Sequence, residues 1–138
     1  MIVLRCNQPT FFDVDDTLVK WGSCPPEEIF TAIPITCPVG KVYDEDGNET
    51  ESLKWTEYLR PHKKHIEQLK QHKLRGHTII VWSQGGWEWA NAVVKALELE
   101  KYVDLVMEKP CWIYDDIPAS EFMPKNQWYK DEDKKETE

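Results

Sequence analysis

Two aspartates stand two residues apart where an apolar run ends, in Phe-Phe-Asp-Val-Asp-Asp-Thr-Leu-Val at 11–19. We predict a strand from about Thr10 to Val14, so that Asp13 and Asp15 mark the point where the strand becomes a loop. In parallel α/β folds, ligands bind beyond the carboxyl ends of the strands. Two carboxylates at such an edge can act as nucleophile and proton carrier, and their hard oxygens suit Mg²⁺. The alternative is an acidic loop that is solvated or binds calcium.

This stretch resembles the first motif of the haloacid dehalogenase-like (HAD) superfamily, an apolar strand followed by Asp-x-Asp-x-Thr-Leu. The resemblance implies that Asp13 attacks phosphorus and that Asp15 first protonates the leaving oxygen and then activates water. The presence of Asp15 favours a phosphatase over a dehalogenase, which has no need of a leaving-group acid. Thr17 is implied to contact the phosphoryl group.

A second polar position ends the apolar strand that we predict at 77–83. Its last residue is Ser83, and Gln84-Gly85-Gly86 follows before a predicted helix. This resembles the second HAD motif, in which a hydroxyl donates to a phosphoryl oxygen. The glycines free the backbone for a tight turn into a helix whose N-terminal N–H groups favour an anion. The alternative for Ser83 is a helix N-cap, and the two roles are compatible.

The last polar positions resemble the third and fourth HAD motifs, in the compact form of short family members. Lys109 follows a strand predicted at 102–107, and a further strand predicted at 111–114 ends in Asp115 and Asp116. Taken singly, a surface lysine and a turn explain them. Their order after the first two motifs favours a lysine that neutralises phosphate and carboxylate charge, followed by an aspartate that binds metal.

Together the four motifs imply a Mg²⁺-dependent phosphohydrolase that acts through an aspartyl-phosphate intermediate. The implied phosphate-binding residues are Thr17, Ser83, Gln84 and Lys109. The implied Mg²⁺ ligands are Asp13, Asp15 and either Asp115 or Asp116, with the choice between the last two left open.

The elements that would position these residues alternate between strand and helix, which predicts a parallel sheet with helices on both faces. We expect an α/β, Rossmannoid, HAD-like fold with a β-hairpin flap and no separate cap domain, and its first strand to be central and buried on both faces. One helix is predicted from about Arg60 to Leu74, with Pro61 in its first turn and Arg75-Gly76 as its stop. Another is predicted from Trp87 to about Leu99.

Residues 20–57 differ from the rest, because glycine and proline break the chain repeatedly. Asp46-Gly47 lies between two strand-like runs, which predicts a hairpin. In the HAD family such a flap follows the first motif and hangs over the active site. A plain surface hairpin is the alternative.

Composition limits the class of protein. With 138 residues, the chain is long enough for one domain with a real core, and its net charge of −8 argues against nonspecific binding to nucleic acid. The basic helix at 60–74 is either a solvated face or a local nucleic-acid contact, and the first is favoured.

No apolar run reaches the length of a membrane span, and the start shows no signal-peptide pattern. The four cysteines form no C-x-x-C pair, so we expect free thiols in a reducing cytoplasm and no zinc.

Domain boundaries follow from the same patterns. We expect residues 1–129 to form a single HAD-like domain, with the flap inserted at about 20–57, and residues 130–138 to form a charged, disordered tail. Phe122, Met123 and Trp128 are expected to pack back on the core.

The substrate is predicted only as a class. An open site permits a small phosphate ester, covered by the flap or by a second subunit of a homo-oligomer, or a nucleic-acid 3′ or 5′ end. The seven tryptophans favour a ring, and hence a nucleotide, ahead of the nucleic-acid end. Trp87 and Trp89 fall near the site, where packing is the default and stacking on a substrate ring is the alternative. Two other classes stay open: a catalytically inactive binding or regulatory protein, and phosphotransfer to an acceptor other than water.

Overall fold

The computed structural model describes residues 8–128, which form two small sheets and three helices. The strands are β1 (Pro9–Phe12), β2 (Val19–Lys20), β3 (Ile33–Tyr43), β4 (Glu49–Pro61), β5 (Thr78–Ser83) and β6 (Leu105–Glu108). The helices are α1 (Lys63–Leu74), α2 (Trp87–Ala96) and the short α3 (Ala119–Phe122), and a 3-10 helix spans Pro26–Thr31. The predicted tail at 130–138 lies outside the described residues.

Three parallel strands form the first sheet, in the order β1-β5-β6. Three successive β5 residues, Ile79 to Val81, are buried, so both faces of this strand are covered. Helix α1 packs against β5, and α2 packs against β5 and β6. The predicted mixed α/β fold, a parallel sheet flanked by helices, is therefore confirmed. The central position predicted for the first strand is wrong: β1 is at the edge of the described sheet, and its Phe11 is 44% exposed.

One apolar core joins this sheet, its helices and the base of the hairpin. Its members are nearly inaccessible to solvent, and burying each aliphatic side chain contributes about 1.5–3 kcal/mol. They include Val14, Leu18, Ile35, Leu59, Leu69, Ile79, Val81, Val93 and Leu99. Because Val14 lies between Asp13 and Asp15 and Leu18 ends the loop, the core itself fixes the position of these aspartates.

The predicted hairpin is confirmed, and its turn is built around Asp44. The Asp44 carboxylate accepts hydrogen bonds from the N–H groups of Asp46 and Asn48, each at 2.9 Å. Gly47 has a φ of +81°, a left-handed conformation that glycine adopts without a steric penalty. The Asp-Gly pair thus marks the turn, as the sequence indicated.

Regular pairing extends much further than the sequence indicated, from Tyr43 opposite Glu49 back to Ile33 opposite Leu59. The expectation that proline breaks the chain throughout 20–57 is wrong for Pro34 and Pro38, which lie inside β3. This strand is at the edge of the order β2-β4-β3, where a residue without N–H is tolerated. The register shifts just after Pro38, so the irregularity becomes a bulge and not a break.

The start of α1 differs from the prediction because β4 continues through Pro61. Pro61 pairs with Val19 of β2, so it ends a strand and does not open a helix. Helix α1 instead begins at Lys63, after His62, whose ring accepts a hydrogen bond from the N–H of His65 at 3.2 Å. The predicted stop is confirmed.

The region after β6 departs most from the prediction. Helix α2 starts at Trp87 as predicted, although it ends at Ala96, and the strand predicted at 102–107 is confirmed only over its later part, as β6. The strand predicted at 111–114 is wrong, because among the described residues no neighbouring strand pairs with it, and Trp112 and Tyr114 are 84% and 96% exposed.

The apolar residues near the end of the described chain do not pack into the core as expected. Phe122, Met123 and Trp128 are 38–49% exposed, and the ring of Trp128 lies edge-on to His65 on the α1 surface. Within residues 8–128, no helix is long and apolar enough to cross a membrane. The described cysteines, Cys24, Cys37 and Cys111, are free thiols.

Candidate active site

Three of the predicted motifs meet at the carboxyl edge of the parallel sheet. Asp13 follows β1, Ser83 ends β5 and Lys109 follows β6. The Lys109 N–H donates to the Ser83 carbonyl at 3.0 Å, and the Lys109 ammonium lies 3.0 Å from Oδ1 of Asp13. Residues distant in sequence thus share one edge because their strands are parallel and adjacent.

Asp13 lies at the surface of this edge with both oxygens engaged. Lys109 pairs with Oδ1, and the Thr17 hydroxyl donates to Oδ2 at 3.3 Å. The Leu18 N–H donates to the Val14 carbonyl at 2.9 Å, which closes the loop and returns Thr17 toward the strand end. The Asp13 side chain is 31% exposed, so an external electrophile can reach it. Its sequence position and these contacts suit a nucleophile held in one orientation.

Two indoles hold Asp15, and the sequence predicted only one of them near the site. Trp21 Nε1 and Trp89 Nε1 both donate to Oδ1 of Asp15, at 2.8 and 3.0 Å. Within the described part of the chain, Oδ2 accepts no hydrogen bond. Trp89 was expected near the site, whereas Trp21 was missed. The sequence does hold a clue, since an indole N–H needs an acceptor where its ring is packed, and aspartates follow β1 directly.

Ser83 is fully buried, and its hydroxyl is part of the turn after β5. Its Oγ accepts a hydrogen bond from the Gly85 N–H at 3.0 Å, whereas Gly86 caps α2 without a side-chain bond. The N-cap alternative for Ser83 is therefore wrong. Because Ser83 is 0% exposed, an external phosphoryl oxygen reaches this hydroxyl only if the turn after β5 moves. Gln84, the other phosphate-binding candidate of this turn, is exposed.

A carboxylate already stands at the start of α2. Glu108 Oε1 accepts from the Trp87 N–H at 3.5 Å, a long contact at the helix terminus expected to favour an anion. A phosphate would have to displace Glu108 or bind beside it. At this edge of the sheet, the ammonium of Lys109 is therefore a stronger positive charge than the start of α2.

The predicted Mg²⁺ ligands are only partly brought together. Asp13 and Asp15 are at the site, but Asp115 and Asp116 lie in the exposed stretch after β6. The Asp115 carboxylate accepts the Ile117 N–H at 3.1 Å, and this hydrogen bond lowers the pKa of Asp115. No three His, Cys, Asp or Glu side chains of residues 8–128 form a group able to hold a metal ion. Mg²⁺ usually keeps several waters and needs only one or two carboxylates plus substrate phosphate, so the chemistry of Asp13 and Asp15 still fits it.

An open cavity of about 820 Å³ adjoins Asp15. Four indoles line it, and we call it the tryptophan cavity: Trp21, Trp55, Trp87 and Trp89. Neither Asp13 nor Lys109 belongs to its wall. The hairpin supplies one side through Trp55 and β3, so the predicted flap stands next to the site. Stacking of Trp87 on a substrate ring stays a prediction.

Comparison with models of protein families, with curated proteins and with solved structures found no match to this chain. The resemblance to the HAD superfamily therefore stays a prediction from the sequence motifs.

Proposed function

We propose that this protein is a phosphohydrolase of the HAD type that cleaves a small phosphate monoester, with nucleotides the favoured class. One observation carries the proposal: the ion pair between Asp13 and Lys109 joins the first and third motifs at the carboxyl ends of β1 and β6. A buried serine hydroxyl ends the strand between them. Convergence of separate motifs at one sheet edge is what a phosphoryl-transfer site requires and what an acidic surface loop does not.

In the first step a carboxylate oxygen of Asp13 attacks phosphorus. The bond from phosphorus to the ester oxygen breaks, and an aspartyl-phosphate forms. Lys109 and the Ser83 hydroxyl hold the transferring phosphoryl group, whose charge the ammonium partly neutralises. Since Ser83 is fully buried, its part in this step requires the turn after β5 to move. Thr17 keeps Asp13 oriented through its hydrogen bond to Oδ2.

Asp15 moves the protons. The leaving oxygen takes a proton from Asp15, and in the second step Asp15 takes a proton from the water that attacks the aspartyl-phosphate. Release of inorganic phosphate then restores Asp13. Because both indoles hold Oδ1, the free Oδ2 is the atom that exchanges the proton.

A Mg²⁺ requirement is part of the proposal and rests on the resemblance and on the donor set. Asp13 and Asp15 would hold the ion, with Asp115 or Asp116 as a further ligand only if the stretch after β6 moves to the site. When bound, the ion would offset the repulsion between the carboxylates and the phosphoryl oxygens.

The test is phosphate release from nucleoside monophosphates, sugar phosphates and oligonucleotides phosphorylated at the 3′ or 5′ end. Each is assayed with Mg²⁺, with a chelator, and with Asp13→Asn. We expect metal-dependent release that Asp13→Asn abolishes, whereas Asp44→Asn in the hairpin turn leaves it unchanged. No release from any substrate would favour a binding protein, and release preferred from oligonucleotide ends would favour the nucleic-acid alternative. Transfer of phosphate to another acceptor would appear as a phosphorylated product in place of inorganic phosphate.

A further inference from the structure

Two of the four indoles of the tryptophan cavity keep about half of their surface exposed. Trp55 is 42% exposed and Trp87 is 50% exposed, although both side chains border the cavity. Trp55 lies 5.3 Å from the ring of Trp89, and Trp21 continues the cluster, stacked at 6.5 Å from Trp55. Trp87 contacts no other described aromatic ring. Apolar surface grouped in a concavity typically marks a binding site.

The position of Asp15 fixes which part of a substrate enters this cavity. Asp15 borders the cavity, whereas Asp13 and Lys109 lie outside its wall. In the proposed reaction, phosphorus sits at Asp13 and the leaving oxygen sits at Asp15. The organic group attached to that oxygen must therefore extend past Asp15 into the tryptophan cavity.

We propose that the tryptophan cavity binds the base of a nucleoside monophosphate, stacked on Trp87 and Trp55; this assignment rests on the proposed function. Flat indole faces suit a flat ring, and every nucleobase has a π-face that stacks on an aromatic side chain. A cavity of about 820 Å³ admits a sugar and a base together, whereas a single phenol ring would leave most of this volume empty. The wall holds two carboxylates, those of Asp15 and Glu88, and the ammonium of Lys41, which pairs with Glu49 at 3.3 Å. This balance of charge favours binding of the phosphate at Lys109 over binding in the cavity.

Binding without chemistry gives the sharpest test. Adenosine and uridine, with ribose as the ringless control, are titrated calorimetrically into wild type, Trp87→Ala, Trp55→Ala and Tyr58→Ala. Tyr58 is the matched control, because it lies on β4 three residues from Trp55, on the opposite face of the strand, and is 67% exposed. Trp87→Ala keeps the experiment decisive if Trp55→Ala unfolds, since the Trp87 side chain is half exposed.

We expect nucleoside affinity about tenfold or more weaker in both tryptophan variants, unchanged in Tyr58→Ala, and no binding of ribose. Absence of nucleoside binding, or equal affinity in all four proteins, would overturn the assignment. Faster hydrolysis of free tyrosine phosphate than of adenosine monophosphate or uridine monophosphate would also overturn the assignment.

The assignment and the proposed function fail in different ways. Nucleoside binding that depends on Trp87, without any phosphate release, leaves the cavity assignment standing and removes the phosphohydrolase. Hydrolysis of glycerol phosphate as fast as of nucleotides, insensitive to Trp87→Ala, leaves the phosphohydrolase standing and removes the base site.

Discussion

The hydrogen bond from Trp89 to Asp15 is expected to hold the acid in place and to contribute measurably to stability. Trp89 is 6% exposed, and its Nε1 lies 3.0 Å from Oδ1 of Asp15. A hydrogen bond to a charged group contributes about 1.5–3 kcal/mol. Trp21 donates to the same oxygen at 2.8 Å, but its side chain is 37% exposed, so solvent screening should reduce its share below about 1 kcal/mol.

A double-mutant cycle separates this bond from the loss of ring volume. Unfolding free energies are measured in urea for Trp89→Phe, Asp15→Ala and the double variant, and the same cycle is run with Trp21→Phe. Because the volume change of Trp89→Phe occurs in both backgrounds, the coupling energy reports the contact with Asp15. We expect the coupling for Trp89 to exceed the coupling for Trp21. Trp112→Phe, at a position 84% exposed, should change nothing.

Kinetics test the same contact independently. A misplaced Asp15 should slow hydrolysis of an alkyl phosphate, whose leaving oxygen needs a proton, more than hydrolysis of 4-nitrophenyl phosphate, whose leaving group does not. General acid catalysis contributes about 10²–10⁴-fold, and Trp89→Phe should remove a part of it. A coupling energy near zero for Trp89, together with equal slowing of both esters, would refute the idea that the indoles position the acid.

Three further outcomes are expected. Lys109→Met should lower kcat/KM about 10²–10³-fold. It should change the unfolding free energy by less than about 1 kcal/mol, because the ion pair of Lys109 with Asp13 is partly solvated. Steady-state kinetics and urea denaturation of the same sample measure these two quantities. Burial lowers the pKa of His72 below its ordinary 6.5, so the unfolded chain binds more protons than the folded protein. The unfolding free energy should therefore fall as the pH drops through 6.5 and level off below the folded-state pKa. The variant His72→Gln should lose this part of the pH dependence. Gly76→Ala should destabilise by about 1–2 kcal/mol, because φ is +85°, whereas Gly40→Ala, at ordinary φ, should not; thermal denaturation of the pair decides.

The sequence predicted what local pattern and strand order control. The β-branched run that ends at Ser83 became the central strand, and Trp87 opens α2 as predicted. Asp13 and Lys109 lie together because parallel order follows from alternating strands and helices. These features depend on periodicity and on one topological rule, and both are visible in the chain.

Features that depend on tertiary pairing could not be predicted. Pro34 and Pro38 lie inside β3 only because that strand is at an edge, which no local pattern reveals. The apolar stretch at 111–114 has strand propensity but no partner, so it stays exposed. The contacts of Trp55 with Trp21 and Trp89, which hold Asp15, require a hairpin longer than its turn chemistry indicates.

The hairpin is joined to the loop that carries the aspartates, which determines how the tryptophan cavity is reached. Lys20 of β2 pairs with Arg60 of β4, and the His62 N–H donates to the Leu18 carbonyl at 2.8 Å. Strand β4 runs from these pairs to Trp55, so swinging the hairpin away from its base would pull on the loop that holds Asp15. A hinged lid would therefore disturb the acid each time it opened. The open side of the cavity admits a ligand without that movement, so the hairpin acts as a wall that positions Trp55 relative to Asp15.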